Sequence, residues 1–208
     1  QDDVAYEAAL LARTVPGRPV RVLWSRAADL SLAPLGPGAI VRAEAKVDAG
    51  GRIAALTIQS QSQAHVSRPG RGGTINLVAA ERLAVPMEKG SPPDVPLARG
   101  GGADRNAMPL YAIPNVHVSK RILRNLPYRT SALRALGGYA NIFAIETLMD
   151  DIAASVGADP VAFRLEHLDD PRARAVITKA AEMAGWPGPT VQGEALGIGF
   201  NQYKNRSA

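Results

Sequence analysis

Arg134 sits in "TSALRALGGYAN", a run of small residues that leads into the helix-forming stretch "IFAIETLMDDIA". A guanidinium is a permanent cation with a planar fork of donors, suited to a phosphate, a carboxylate or an oxyanion. Gly137 and Gly138, which follow it, let another backbone or a ligand come close. The first N–H groups of a helix are unpaired and carry partial positive charge. Together these features suit an anionic group. They also suit a solvated arginine on an ordinary connecting loop, and residue types alone leave both readings open.

The other chemically capable residues are scattered. "ARGGGAD", Ala98 to Asp104, loosely resembles a phosphate-binding loop, but it has no Walker lysine and no periodic helix after it, and it reads as a mobile loop. "SRPGRGG" offers Arg68 and Arg71 to an anion or to solvent. His65, His117 and His167 lie on different elements, and no pair has helical metal-ligand spacing. His167 falls near a helix C-terminus, where the dipole favours a cation. No metal ligands are assigned. Ser131 lacks the flanking glycines of a nucleophile elbow, which argues against a serine hydrolase.

The elements that must carry these residues are readable from periodicity and punctuation. Asp3 to Arg13 predicts a helix with Asp2 or Asp3 as N-cap, stopped by Pro16 and Gly17. "RPVRVLWS" alternates Val20, Val22 and Trp24 on one side and predicts a strand. After the Pro/Gly segment "APLGPG", two extended runs flank the turn "DAGG" and predict a long hairpin. Residues 65–110 are rich in turn formers, including "KGSPPDVP", and predict an irregular region. Ile113 to Leu123 predicts a strand. From Tyr139 to Val156, a stripe of Ile142, Ile145, Leu148, Met149, Ile152 and Val156 predicts an amphipathic helix, with Glu146, Asp150, Asp151 and Ser155 mostly opposite and Gly157 at its end. Asp159-Pro160 and Asp170-Pro171 each predict a capped helix start. The final "GIGFNQYKNRSA" predicts a strand. The resulting class is α+β, with helices packed on a mainly antiparallel sheet.

Composition sets the outer bounds. Of 208 residues, 46% are hydrophobic and only 5% aromatic, so the core is aliphatic and alanine-rich. The net charge of +5 is mostly arginine, yet it is scattered and has few aromatics to stack on bases, which argues against nucleic acid. With no cysteine, the chain holds no disulfide, thiolate zinc site, iron–sulfur ligand or thiol nucleophile. No apolar run is long enough for a membrane span. A soluble protein is expected, its compartment left open between cytoplasm and periplasm. The chain begins and ends inside structured sequence, as one piece of a larger domain would: a helix plus strands over residues 1–64, an irregular region over 65–110, then a strand, three helices and a strand over 111–208.

"ALRALGGYANIFAIETLMDDIAASVGADPVAFRLEHL" resembles the molybdopterin-binding subunits of the xanthine dehydrogenase and aldehyde oxidase family. "GRPVRVLWSR" and "YAIPNV" resemble family segments in the same order, so the likeness spans nearly the whole chain. "TSALRALGGYAN" and "LDDPRARAVITKAAEMAGW" look closest to the nicotinate dehydrogenase and isoquinoline oxidoreductase branch. The resemblance implies a hydroxylase that oxidises an aldehyde or N-heterocycle with water as the oxygen source. The alternative is a non-catalytic assembly or protein-binding module on the same fold.

What the resemblance implies for individual residues centres on one loop. Arg134 matches the catalytic arginine bordering the molybdenum centre. Ala132, Leu133, Ala135, Leu136 and Gly137 match its cofactor-binding neighbours, with Gly138 beside them. The implied cofactor is molybdopterin cytosine dinucleotide. The implied partners are the rest of the molybdenum subunit, an iron–sulfur subunit, and a flavoprotein or cytochrome acceptor. Three departures stand out. Leu133 and Leu136 replace the phenylalanines of purine-oxidising relatives. Gly38 stands nearest the position of their substrate-binding arginine. The family's upstream glycine-rich segment, glutamine loop and late glutamate base are absent from these 208 residues, which predicts no turnover by this piece alone.

Overall fold

The computed structural model describes residues 2–70, 75–88, 90, 93–124, 128–188 and 191–203. The helices are α1 (Asp3–Thr14), α2 (Arg26–Leu32), α3 (Gly138–Ser155), α4 (Pro160–Glu166) and α5 (Pro171–Ala184). The strands are β1 (Ala39–Val47), β2 (Ile53–Ser62) and β3 (Asn115–Ile122), in one sheet of order β1–β2–β3. This is the α+β architecture expected from the sequence. The irregular region carries two short 3-10 turns, Ala79–Arg82 and Leu97–Arg99.

Two compact units divide the chain. The first comprises residues 1–39, 61–103 and 121–136; the second comprises 40–60, 104–120 and 137–208.

The second unit holds the apolar core. The β1–β2 hairpin closes at Asp48, whose Oδ1 accepts from the N–H of Gly50 (2.8 Å) and of Arg52 (3.0 Å), while Gly51 takes φ +82°. Only a residue tolerant of positive φ completes so tight a turn. From β2, Ile53, Leu56 and Ile58 are buried with Ile145, Met149 and Ile152 of α3 and Phe163 of α4. Each such side chain contributes about 1.5–3 kcal/mol. The caps are those the sequence predicts. Asp159 Oδ1 accepts from Val161 and Ala162 N–H, both at 2.9 Å, and Asp170 Oδ1 from Arg172 N–H at 2.9 Å. Gly157 (φ +69°) ends the α3 segment, and Gly185 (φ +67°) ends α5.

Glu146 departs from expectation. It does not lie on a solvated face of α3 but is buried, accepting from Tyr111 Oη at 2.8 Å, Arg164 Nε at 2.9 Å and Phe200 N–H at 2.9 Å. Arg164 is fully buried and also donates to Asp150 Oδ1 at 2.7 Å. Burial opposes the Arg164 charge, but Asp150 and Glu146 outweigh it and hold the guanidinium above its ordinary value. Val156, placed on the apolar stripe by its spacing, is exposed.

The first unit buries polar side chains alongside apolar Ala64, Leu77, Ala80 and Ala103. Its buried residues include Asp3, Ser62, Gln63, His65, Ser67, Asn76 and Thr130. Val20, Val22 and Trp24 do alternate half-buried with exposed neighbours, but they join no ladder among the described residues, and no strand forms. Trp24 Nε1 instead donates to Glu7 Oε2 at 2.8 Å. The sequence expectations do not include α2, although Ser25 caps it by accepting from Ala28 N–H at 3.1 Å. Asp2 occupies the N-cap position of α1 without a side-chain cap bond. The expected C-terminal strand is irregular over its described residues, 197–203, and residues 204–208 lie outside the description.

Candidate functional site

The Arg134 turn is built within the first unit. Leu136 N–H donates to Leu133 O at 3.0 Å, closing a four-residue turn with Arg134 and Ala135 at its corners. Ala135 has φ +76° and Leu136 φ +54°. The third position of such a turn ordinarily belongs to glycine, because a Cβ there meets backbone. Two consecutive left-handed residues with side chains, costing on the order of 1–3 kcal/mol each, persist only where their surroundings over-determine them.

The surroundings are specific. Thr130 forms a bridge with Leu35, and Ser131 N–H donates to Leu35 O at 2.8 Å. Leu133 lies against Gly36, where an added Cβ would come within 3.2 Å of Leu133 Cβ. The Pro/Gly segment "APLGPG" thus acts as a rail for the turn, and a side chain at Gly36 would have to push Leu133 aside by a few tenths of an ångström. Ala132 is half-buried, while Leu133 and Arg134 are exposed. Among the described residues Arg134 has no ion-pair partner. An exposed, donor-only group held at the corner of a strained turn fits an anionic or oxygen-rich partner.

In the second unit, Gly137 is buried at the N-cap position of α3 and supplies no side-chain cap. Gly138 is also buried, and a Cβ there would meet Asn106 Oδ1 at 3.4 Å and Arg105 Cγ at 3.6 Å. Those are ordinary contact distances, and α3 begins without a side-chain cap because its N-cap residue is a glycine.

The other sequence candidates resolve into structural roles. The glycine loop of "ARGGGAD" holds an anion supplied by the chain itself: Asp94 Oδ2 accepts from Ala103 N–H at 2.8 Å, and Oδ1 accepts from His65 N–H at 3.2 Å. Gly100 (φ +93°) and Gly101 (φ +72°) shape that loop. Nothing in the local pattern announces Asp94, whose carboxylate reaches the loop from outside it. The expectation of a mobile loop gives way to one that is buried over residues 101–103. Arg68 pairs with Asp2 at 3.2 Å on the surface, and Arg71 lies outside the described residues.

His167 is a core residue: its Nε2 accepts from Ile53 N–H at 3.1 Å, so Nδ1 carries the proton donated to Phe163 O at 2.8 Å. His65 is buried beside Ser62 Oγ at 3.2 Å, and His117 is exposed. Among the described residues no cluster of His, Cys, Asp or Glu could hold a metal ion, and no helix is long and apolar enough to cross a membrane.

Residues 97–168, which include β3, the Arg134 turn, α3 and α4, match the family model of a molybdopterin cofactor-binding domain. The chain is 33% identical over 185 residues to a nicotinate dehydrogenase subunit of Pseudomonas putida, a match covering 89% of this chain and 14% of that protein. It is 30% identical over 207 residues to the beta chain of isoquinoline 1-oxidoreductase of Brevundimonas diminuta, covering 96% of this chain and 23% of that one. Its fold is similar to the crystal structure of quinoline 2-oxidoreductase from Pseudomonas putida 86, with TM-score 0.61 and 19% identity over 86% of this chain and 22% of that chain. The chain thus spans under a quarter of the length of these relatives. Residues 97–168 thus match a molybdopterin cofactor-binding domain, and the chain is similar along most of its own length to parts of the nicotinate dehydrogenase and isoquinoline 1-oxidoreductase subunits.

Proposed function

We propose that these 208 residues form one piece of a larger molybdopterin-binding domain, in a subunit that oxidises an aldehyde or N-heterocycle with water as the oxygen source. The observation that carries this reading is the Arg134 turn, an exposed guanidinium presented by two consecutive left-handed non-glycine residues. Backbone strain kept at a solvent-facing arginine is the mark of a site in which the aim of the side chain matters. The names of the two curated relatives, nicotinate dehydrogenase and isoquinoline 1-oxidoreductase, favour a nitrogen heterocycle as substrate.

In this reading Arg134 is the catalytic residue of the piece, donating hydrogen bonds to oxygen or negative charge on the substrate side of the site. Ala132, Leu133, Ala135, Leu136 and Gly137 form the cofactor-facing loop, where Ala132, Ala135 and Gly137 add little side-chain bulk beside a phosphate-bearing pterin. Leu133, exposed on its Gly36 seat, supplies an aliphatic wall in place of an aromatic one. The molybdenum cofactor, as molybdopterin cytosine dinucleotide, supplies the redox centre that takes up the substrate's electrons. Iron–sulfur clusters on a partner subunit would supply the route from there to a flavoprotein or cytochrome acceptor. The remainder of the molybdenum subunit covers apolar side chains such as Leu23, Leu30 and Val85, which are exposed here. The piece by itself has no turnover.

The test is elemental and nucleotide analysis of the full encoded subunit, coexpressed with its genomic neighbours. Equimolar molybdenum and cytidine nucleotide are expected. A correctly folded complex with neither would overturn the reading in favour of a non-catalytic module.

A further inference from the structure

We propose that Asp3 and Arg129 are positioning residues for Arg134, a role that rests on the catalytic reading of Arg134 above. Arg129 donates through one η nitrogen to Asp3 Oδ2 and through the other to Asn76 O, while Asp3 Oδ1 accepts from Val78 N–H at 3.3 Å. The two side chains are 6% and 1% exposed. One buried point therefore ties together the first turn of α1, the segment at 76–78 and residue 129, all within the first unit.

From that point onward the chain is held step by step. Thr130 bridges to Leu35, Ser131 N–H bonds to Leu35 O, Leu133 rests on Gly36, and Leu136 N–H closes the turn on Leu133 O. Arg134, at the corner of that turn, is exposed, as is Leu133 beside it. A buried ion pair is a costly way to gain stability, because desolvation offsets much of the attraction and an apolar pair of similar volume often does as well. What the pair adds is geometry. With both η nitrogens engaged, the planar fork of Arg129 accepts one orientation, and the backbone that leads to Arg134 inherits it.

The experiment uses the full encoded subunit in its complex. Asp3→Leu/Arg129→Met removes both charges together, so that no lone charge is left buried. Arg129→Lys keeps the charge but loses the fork. Hydrogen exchange is read on peptides covering 130–136 and, as a control, α5. In both variants exchange over 130–136 rises about tenfold or more while α5 is unchanged, as local loosening requires. Turnover falls through kcat more than KM, and adding Arg134→Ala causes little further loss.

Unchanged exchange over 130–136, an equal rise in α5, or losses that add to those of Arg134→Ala would each overturn the proposal. If Arg134→Ala alone leaves turnover intact, the catalytic reading falls. The exchange data then still decide whether the pair holds the turn.

Discussion

Arg164 Nε donates to Glu146 Oε2 across 2.9 Å, with the guanidinium fully buried and the carboxylate nearly so. The same carboxylate receives Tyr111 Oη and the N–H of Phe200, so α3, α4, the chain before β3 and the C-terminal segment meet on one side chain. Removing one partner leaves the other charge buried alone. Arg164→Met should cost about 3–5 kcal/mol in denaturant unfolding, while Glu146→Gln/Arg164→Met should cost clearly less than the sum of its parts. Additive losses would contradict the coupling.

Tyr111 gives the same cluster a pH signature. Burial, then the Glu146 carboxylate, raises its pKa above the ordinary tyrosine value of 10.0. The neutral phenol is favoured in the folded state, so this stabilisation is complete below the unfolded value and is lost as pH rises toward the raised folded value. Spectrophotometric titration should show one of the five tyrosines failing to ionise while the fold persists. Stability should decline more steeply above the ordinary value than in Tyr111→Phe.

Asp159 acts in the opposite direction. Burial favours its neutral acid, but bonds from Ala162 N–H, Trp186 Nε1 and Val161 N–H outweigh that and lower its pKa below 3.8. Its contribution is present above the unfolded value and is lost as pH falls through the lowered one. Asp159→Ala should cost about 1 kcal/mol at neutral pH. Thermal melts of the two proteins should converge in acid.

A Cβ at Gly102 would stand 2.0 Å from Asp94 Oδ1, so a side chain there forces the Asp94 carboxylate to move. Gly102→Ala should expel the carboxylate from the loop and cost about 1–3 kcal/mol. Asp94→Ala should make the same alanine far less damaging. A Gly102→Ala variant as stable as the parent would show that the loop does not need Asp94.

The parts of this molecule legible in sequence are those with local causes. Asp159-Pro160 and Asp170-Pro171 cap helices because cap, proline and first-turn N–H groups lie within three residues of each other. The Asp48–Gly51 turn is legible for the same reason. Glu146 reads as part of a polar face because charge ordinarily faces water, yet its partners lie 18, 35 and 54 residues away. Val20 to Trp24 has the alternation of a strand, but a strand also needs an edge to pair with, and alternation does not supply one. At the site, Arg134 stands out by its charge among small residues. The left-handed backbone of Ala135 and Leu136 does not, because neither is glycine or asparagine. The ties from Arg129 to Asp3 and Asn76, which span 126 and 53 residues, leave no local mark.

That backbone makes its own prediction. Ala135→Gly and Leu136→Gly should each relieve left-handed strain and raise stability by up to about 1 kcal/mol. Both should lower turnover in the intact subunit, since a looser turn aims Arg134 less well. A gain in stability with unchanged turnover would show the strain to be incidental.

The most direct test of the central claim is the catalytic efficiency of Arg134→Ala in the intact, molybdenum-loaded subunit on N-heterocycle substrates, normalised to molybdenum content. Loss of an electrostatic donor at the reacting centre predicts a fall of about a hundredfold or more, with the melting transition and the molybdenum content unchanged. Unchanged efficiency, or a collapsed fold, would show that the Arg134 turn is a structural connection and not part of the active site.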